Sequence, residues 1–113
     1  MAANSEIILS SNTHIGDSAL QTVTGVKFKG DGYYGRSDGL HSVQYTYSGF
    51  TGTITIQATL AVDPVESDWF DVHSYTAAQE TSSRIANFTG NYVWIRAKVE
   101  YTDGTISSIV LNH

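Results

Sequence analysis

The side chains able to do acid–base or nucleophilic chemistry in this sequence are few and poorly grouped. The four histidines are His14, His41, His73 and His113, and no two stand at a spacing that builds a metal pair or a nucleophile–base couple. Serines are plentiful, but none lies in a Gly-x-Ser-x-Gly elbow. There is no phosphate-binding glycine loop and no His-Glu-x-x-His. Cysteine is absent, which removes disulfides, thiol catalysis and thiolate zinc sites. The expectation is a protein that binds or assembles, without a catalytic centre or a cofactor.

Three segments carry residue types suited to binding. The acidic run Asp63-Pro64-Val65-Glu66-Ser67-Asp68-Trp69-Phe70-Asp71 offers Asp63, Glu66 and Asp68 as oxygen donors for calcium, although the EF-hand spacing is missing. The plainer reading is a solvated loop leading into a strand anchored by Trp69. Gly30-Asp31-Gly32-Tyr33-Tyr34-Gly35-Arg36-Ser37-Asp38-Gly39 joins backbone freedom to the rigid, amphipathic contact area of two tyrosines. Tyr33, Tyr34 and Arg36 there suit a protein interface or sugar stacking, or else a long connection whose tyrosines pack back on the core. Period-two alternation puts Tyr92, Trp94 and Arg96 together on the outer face of a strand, and these residue types are enriched in interface hot spots. A loop folded over that face is the alternative. Asn87-Phe88-Thr89 fits the glycosylation sequon, but no secretory segment is visible and the match is read as chance.

The elements that must position these residues read as strands. In Thr53-Ile54-Thr55-Ile56-Gln57-Ala58-Thr59-Leu60 the apolar residues alternate with Thr and Gln. Val93, Ile95, Ala97, Val99 and Tyr101 alternate through 92–101, and Val43, Tyr45 and Tyr47 through 41–47. Weaker strand patterns cover 6–10, 21–29, 69–75 and 105–112. About seven or eight strands suffice for two mostly antiparallel packed sheets. The expected core contains Val43, Tyr45, Ile54, Ile56, Leu60, Trp69, Val93, Ile95, Ala97, Val99 and Ile109. Thr102-Asp103-Gly104-Thr105 has the chemistry of a hairpin turn; a two-residue loop would face Ile106 and Val110 inward, and a three-residue loop with Gly104 in a bulge, favoured because it buries the larger side chains, would face Ile109 and Leu111 inward. Residues 74–84 lack β patterning and are expected to form a helical turn or a loop. Phe50-Thr51-Gly52 and Phe88-Thr89-Gly90 each precede a core strand, an echo too short to establish a duplication.

The 113 residues suit one domain over 1–113, and the formal charge is −5, from 11 acidic and 6 basic residues. Charged residues make up 15%, below the usual level of about 25%. The cations are scattered along the sequence, which argues against a nucleic-acid backbone or a membrane surface as partner. No apolar run approaches the length of about 18 residues that spans a bilayer.

Phe50-Thr51-Gly52-Thr53-Ile54-Thr55-Ile56-Gln57-Ala58-Thr59-Leu60, then Trp69-Phe70-Asp71-Val72, then Phe88-Thr89-Gly90-Asn91-Tyr92-Val93-Trp94-Ile95-Arg96-Ala97 and the closing Asp103-Gly104-Thr105 resemble small virion proteins of tailed bacteriophages. Some of these are discoidin-like or jelly-roll-like β-sandwiches. The likeness covers roughly 40–113 and consists of packing motifs. It implies an all-β, non-enzymatic structural subunit of a capsid, neck, baseplate or fibre. Such a subunit would be made in the host bacterial cytoplasm and would partner itself and other virion proteins. Low charge and Thr-rich faces, with little side-chain entropy to lose, suit repeated contacts. The alternative is a carbohydrate-binding module that holds glycans through Tyr33, Tyr34, Trp69 and Tyr75. That reading needs two or more exposed rings converging in one place.

Overall fold

Alternating apolar and polar residues build seven antiparallel strands in the computed structural model, which describes residues 5–30, 32–33 and 39–112. They are β1 (Ser5–Leu9), β2 (Asn12–Thr13), β3 (Gln21–Thr24), β4 (Phe28–Lys29), β5 (Leu40–Thr59), β6 (Phe70–Thr89) and β7 (Trp94–Asn112). The last three are 20, 20 and 19 residues long, far beyond the common strand length of about 5–6 residues. β5 lies between β6 and β7 and pairs with both along its length.

A ribbon that long buries one face by doubling over. The first half of β5 pairs with the second halves of β6 and β7, and its second half with their first halves. β1 and β2 extend the first layer along β7, and β3 and β4 extend the second. Side-chain contacts show that the layers face each other. Tyr45 is the ladder partner of Arg84 in the first layer, yet its ring lies 5.9 Å from both His73 and Tyr75 in the second. The molecule is 18 Å thick across its shortest axis, as expected of two sheets packed about 10 Å apart. This is the expected all-β, antiparallel sandwich, and no α-helix occurs among the described residues.

The fold line runs through all three long strands. The buried apolar residues of β5 flanking it are Val43, Tyr45 and Tyr47 before it, and Ile54, Ile56 and Ala58 after it, so the inward parity switches. The switch falls where β5 slips register against both neighbours, with Gly49 at φ +57. Phe50 sits at the crease, fully buried, with its ring 5.4 Å from Tyr47 and 5.6 Å from Tyr101. β7 crosses the crease at Gly104, φ +100, where an added Cβ would lie 2.5 Å from the Gly49 carbonyl oxygen.

Residues 102–105 therefore form no hairpin. β7 runs straight through them, pairing with β5 on both sides of the bend. The left-handed Gly104 is real, and Ile109 and Leu111 do face inward, but Ile106 does too. Residues 74–84 are likewise strand, within β6. Their hydrophobic alternation is broken because Glu80 and Arg84 line the open edge of the sandwich, and backbone pairing to β5 holds the segment instead. Leu60 is 69% exposed because β5 ends at Thr59 and the chain departs there. Trp69 and Val93 are only half-buried. The core gains Ile8 and Leu9 from β1, along with Phe50, His41 and Leu111.

The two turn glycines separate steric from conformational demand. Gly104→Ala adds a methyl against backbone at a positive φ and should cost more than about 1 kcal/mol. At Gly49 no heavy atom lies within 4 Å of an added Cβ, and Asn tolerates that backbone, so Gly49→Asn should stay within about 0.5 kcal/mol of the parent. Urea denaturation of both variants tests this; equal losses would mean that the crease is not closely packed.

Candidate functional site

On β7 the inward residues Ile95, Ala97 and Val99 alternate with Trp94, Arg96 and Lys98 on the outer face of the second layer. The connection between β5 and β6, residues 60–69, doubles back across that face. Trp94 Nε1 donates to the Val62 carbonyl at 2.8 Å. Glu66, in a 3₁₀ turn over Glu66–Asp68, accepts from both terminal nitrogens of Arg96 at 3.2 and 2.6 Å. Arg96 Nε donates to Gln57 Oε1 at 2.8 Å, and Gln57 Nε2 donates to Asp71 Oδ1 at 3.0 Å. The guanidinium lies 4.4 Å from the Trp69 ring centroid. Its hydrogen bonds hold the Glu66 carboxyl below the usual carboxylate range.

Arg96 is thus only 8% exposed and spent on its own loop, not held out toward a partner. It fastens the connection to the sheet. The acidic trio does not converge on a cation either. Glu66 serves Arg96, and Asp68 Oδ2 accepts from the Val65 amide at 2.9 Å. Among the described residues no three His, Cys, Asp or Glu side chains are placed to hold a metal.

Past this latch lies an aromatic–cation ladder. The Tyr33 ring sits 5.2 Å from Trp94, tilted by 54°. Lys27 Nζ stands 4.8 Å over the Trp94 ring, and Lys29 Nζ stands 4.6 Å over Tyr33. Local sequence explains the placement. Phe28 turns in against the core, so the lysines on either side of it turn out. β4 pairs Lys29 with Trp94. The Gly30 and Gly32 amides then donate to the Val93 and Tyr92 carbonyls, each at 2.9 Å. An added Cβ at Gly32 would lie 2.1 Å from the Asn91 carbonyl oxygen, so only glycine lets the chain come close enough to set Tyr33 beside Trp94. Tyr33 is 45% exposed; Tyr34 and Arg36 lie outside the described residues.

Tyr92 does not share this face. β7 begins at Trp94, and the bend before it turns Tyr92 over the end of the sandwich, its ring 6.2 Å from both His41 and Phe88. Tyr75 also turns inward, into a polar network along the open edge of β6. Tyr47 donates to Glu80 Oε2. Tyr75 donates to Glu80 Oε1 at 2.8 Å. Arg84 Nε reaches Glu80 Oε2 at 3.2 Å and stacks on Tyr75. The Tyr45 hydroxyl and His73 Nε2 share a bond of 3.1 Å. Of the described rings first considered for sugars, Tyr33 is the exposed one, and its companion is the half-buried Trp94. Residue types alone did not bring out the roles of Lys27, Lys29, Gln57 and the Val62 carbonyl. For the lysines a signal existed, since they alternate about an apolar Phe28.

The network sets the pH dependence of stability. Hydrogen bonds from Tyr47 and Tyr75 lower the Glu80 pKa, and burial lowers that of His73. In both cases the unfolded chain binds protons more readily, so stability is full above the ordinary pKa and lost as pH falls. Loss should begin near 6.5 with His73 and deepen below 4.5 with Glu80 and Glu66. Burial raises the Tyr45 pKa, so alkali above 10 should also destabilise. Thermal melts from pH 7 to 3 should show two acid stages, the first missing in His73→Gln. A flat Tm down to pH 5 would exclude a neutral, half-buried His73.

No family model matches the chain, and no curated protein matches it in sequence. Among solved structures it is similar to a family 29 carbohydrate-binding module from Piromyces equi, with a TM-score of 0.54 and 8% identity over 100% of this chain and 93% of that one. It is similar to chitosan-binding module 1 of a chitosanase/glucanase from Paenibacillus sp. IK-5, with a TM-score of 0.57 and 14% identity over 91% and 76% of the two chains. PirA aligns with a TM-score of 0.51 and 11% identity over 99% of this chain and 94% of its own. What these structures share with this chain is the β-sandwich fold.

Proposed function

We propose that this protein is a non-catalytic carbohydrate-binding module whose ligand lies across the Tyr33–Trp94 platform. The carrying observation is the pairing of those two rings on an outer sheet face, held rigid by the Val62 hydrogen bond, the Lys29–Trp94 register and the glycine approach at Gly32. Rings with two torsions, locked by packing, offer apolar area at low entropy cost. A pyranose presents its C–H face to such a surface and its hydroxyls to the polar groups around it. Two neighbours in fold are carbohydrate-binding modules by description, which supports the reading at the level of architecture, while the residues support it at the level of the site. Affinity electrophoresis against a panel of soluble polysaccharides tests it. Retardation by at least one polysaccharide is expected, with a weakening of about tenfold in Trp94→Ala, which removes the stacking ring. Retardation by none, or an unaffected Trp94→Ala, would overturn it.

One observation favours a second reading, a structural subunit of a tailed-phage particle. β6 pairs only with β5, so its outer edge carries no strand among the described residues, and Phe70 and Ile85 along it are each 69% exposed. An open edge is a template for another chain. Light scattering of the purified protein should then give a dimer or larger assembly; a monomer at every concentration, with no copies in purified particles by mass spectrometry, removes this reading.

A further inference from the structure

The chain is acidic overall, at −5, yet Lys27, Lys29, Arg96 and Lys98, out of 6 basic residues, share the outer face of the second layer. The two halves of that face differ in charge balance. Arg96 is bonded to Glu66, and Arg96 and Lys98 together lower the Glu66 pKa. Asp71 is engaged by Gln57. Lys27 and Lys29, by contrast, are exposed and form no ion pair with any described carboxylate. Their recorded contacts are with the rings, one ammonium over Trp94 and one over Tyr33. One face of each ring is covered by an ammonium group. A neutral sugar stacking on those faces would have to displace both cations and forfeit their cation–π attraction. An anionic sugar ring gains the charge and keeps the rings as flanking apolar walls.

Resting on the carbohydrate-binding reading, we propose that the ligand is an anionic polysaccharide of low charge density, a uronate polymer, with its carboxylates on Lys27 and Lys29 and its rings beside Tyr33 and Trp94. Two cations without a carboxylate partner among the described residues match one carboxylate per sugar ring; a densely sulfated chain would demand a larger basic patch than the described residues of this face offer.

Binding of the full chain to polygalacturonate, dextran sulfate, laminarin and a single-stranded oligonucleotide, each at low and high sodium chloride, tests the proposal. Polygalacturonate should bind most tightly. The affinity should fall about tenfold between 50 and 500 mM salt, because exposed charges are screened within a Debye length. The double variant Lys27→Gln/Lys29→Gln should lose about tenfold at low salt, and Lys27→Arg/Lys29→Arg should retain binding, which separates charge from folding. Laminarin binding as tight as polygalacturonate and indifferent to salt would overturn the anionic ligand while leaving the carbohydrate-binding reading standing. Tighter binding to dextran sulfate would overturn the uronate assignment in favour of sulfate esters. Binding to the oligonucleotide as tight as to polygalacturonate would overturn the glycan altogether, and no binding to any polysaccharide would remove both readings.

Discussion

Three adjacent strands of about twenty residues can enclose a core only if all of them bend along the same row. Each must change which side chains face inward at that row, and the backbones must come nearly into contact. Gly49 supplies the left-handed turn in β5, Gly104 both the turn and the close approach in β7, and Gly52 leaves room beside Tyr101, whose Cβ an added side chain would approach to 2.5 Å. Phe50 fills the crease between Tyr47 and Tyr101. Burial of these rings together with the Ile, Leu and Val side chains of the core supplies the driving force. Everything else in the molecule is placed by this bend. It brings His73 under Tyr45, gathers Glu80 and Arg84 beside Tyr47, and leaves the outer face of the second layer free to carry a site.

The outer face is organised by a different economy. Buried arginine is costly unless its donors are met and its charge is balanced. Arg96 has Glu66, Gln57 and the Trp69 ring around it. The same contacts keep residues 60–69 lying flat on the sheet, and the Val62 carbonyl then fixes Trp94. The Tyr33–Trp94 pair therefore does not stand on a loop alone. One ring rises from a core strand, the other from a glycine-rich approach hydrogen-bonded through two backbone amides to Tyr92 and Val93 just ahead of that strand, and a polar latch fixes the neighbouring loop.

Much of the architecture was legible because period-two alternation reports burial directly. Val43, Tyr45, Ile54, Ile56, Ile95, Ala97, Val99 and Ile109 all lie in the core as that alternation requires. What stayed hidden has a common cause. Turn chemistry at Asp103-Gly104 reads the same whether a strand reverses within its sheet or creases out of plane, since both need a left-handed residue. Residues 74–84 form a strand whose inward positions face an open edge, so polar side chains are tolerated where a closed core would need apolar ones. At the site, Trp94 and Arg96 stood out by type and alternation, but only the three-dimensional path of residues 60–69 assigns Arg96 to the loop and Trp94 to the platform. Tyr92 misled because alternation was extended one step past the start of β7.

The pairing of β1 with β7 joins Ser5 to Asn112, and every other strand partnership of the first layer likewise waits on β7 or on the far half of β6. As the chain leaves the ribosome, β1 through β4 have no partner until β7 is made. The sandwich therefore closes late, only once β7 has been made. Contacts so distant in sequence make for slow folding. During that interval the inward face of β5, Ile54 and Ile56 included, lacks the neighbour that β7 provides in the finished sandwich.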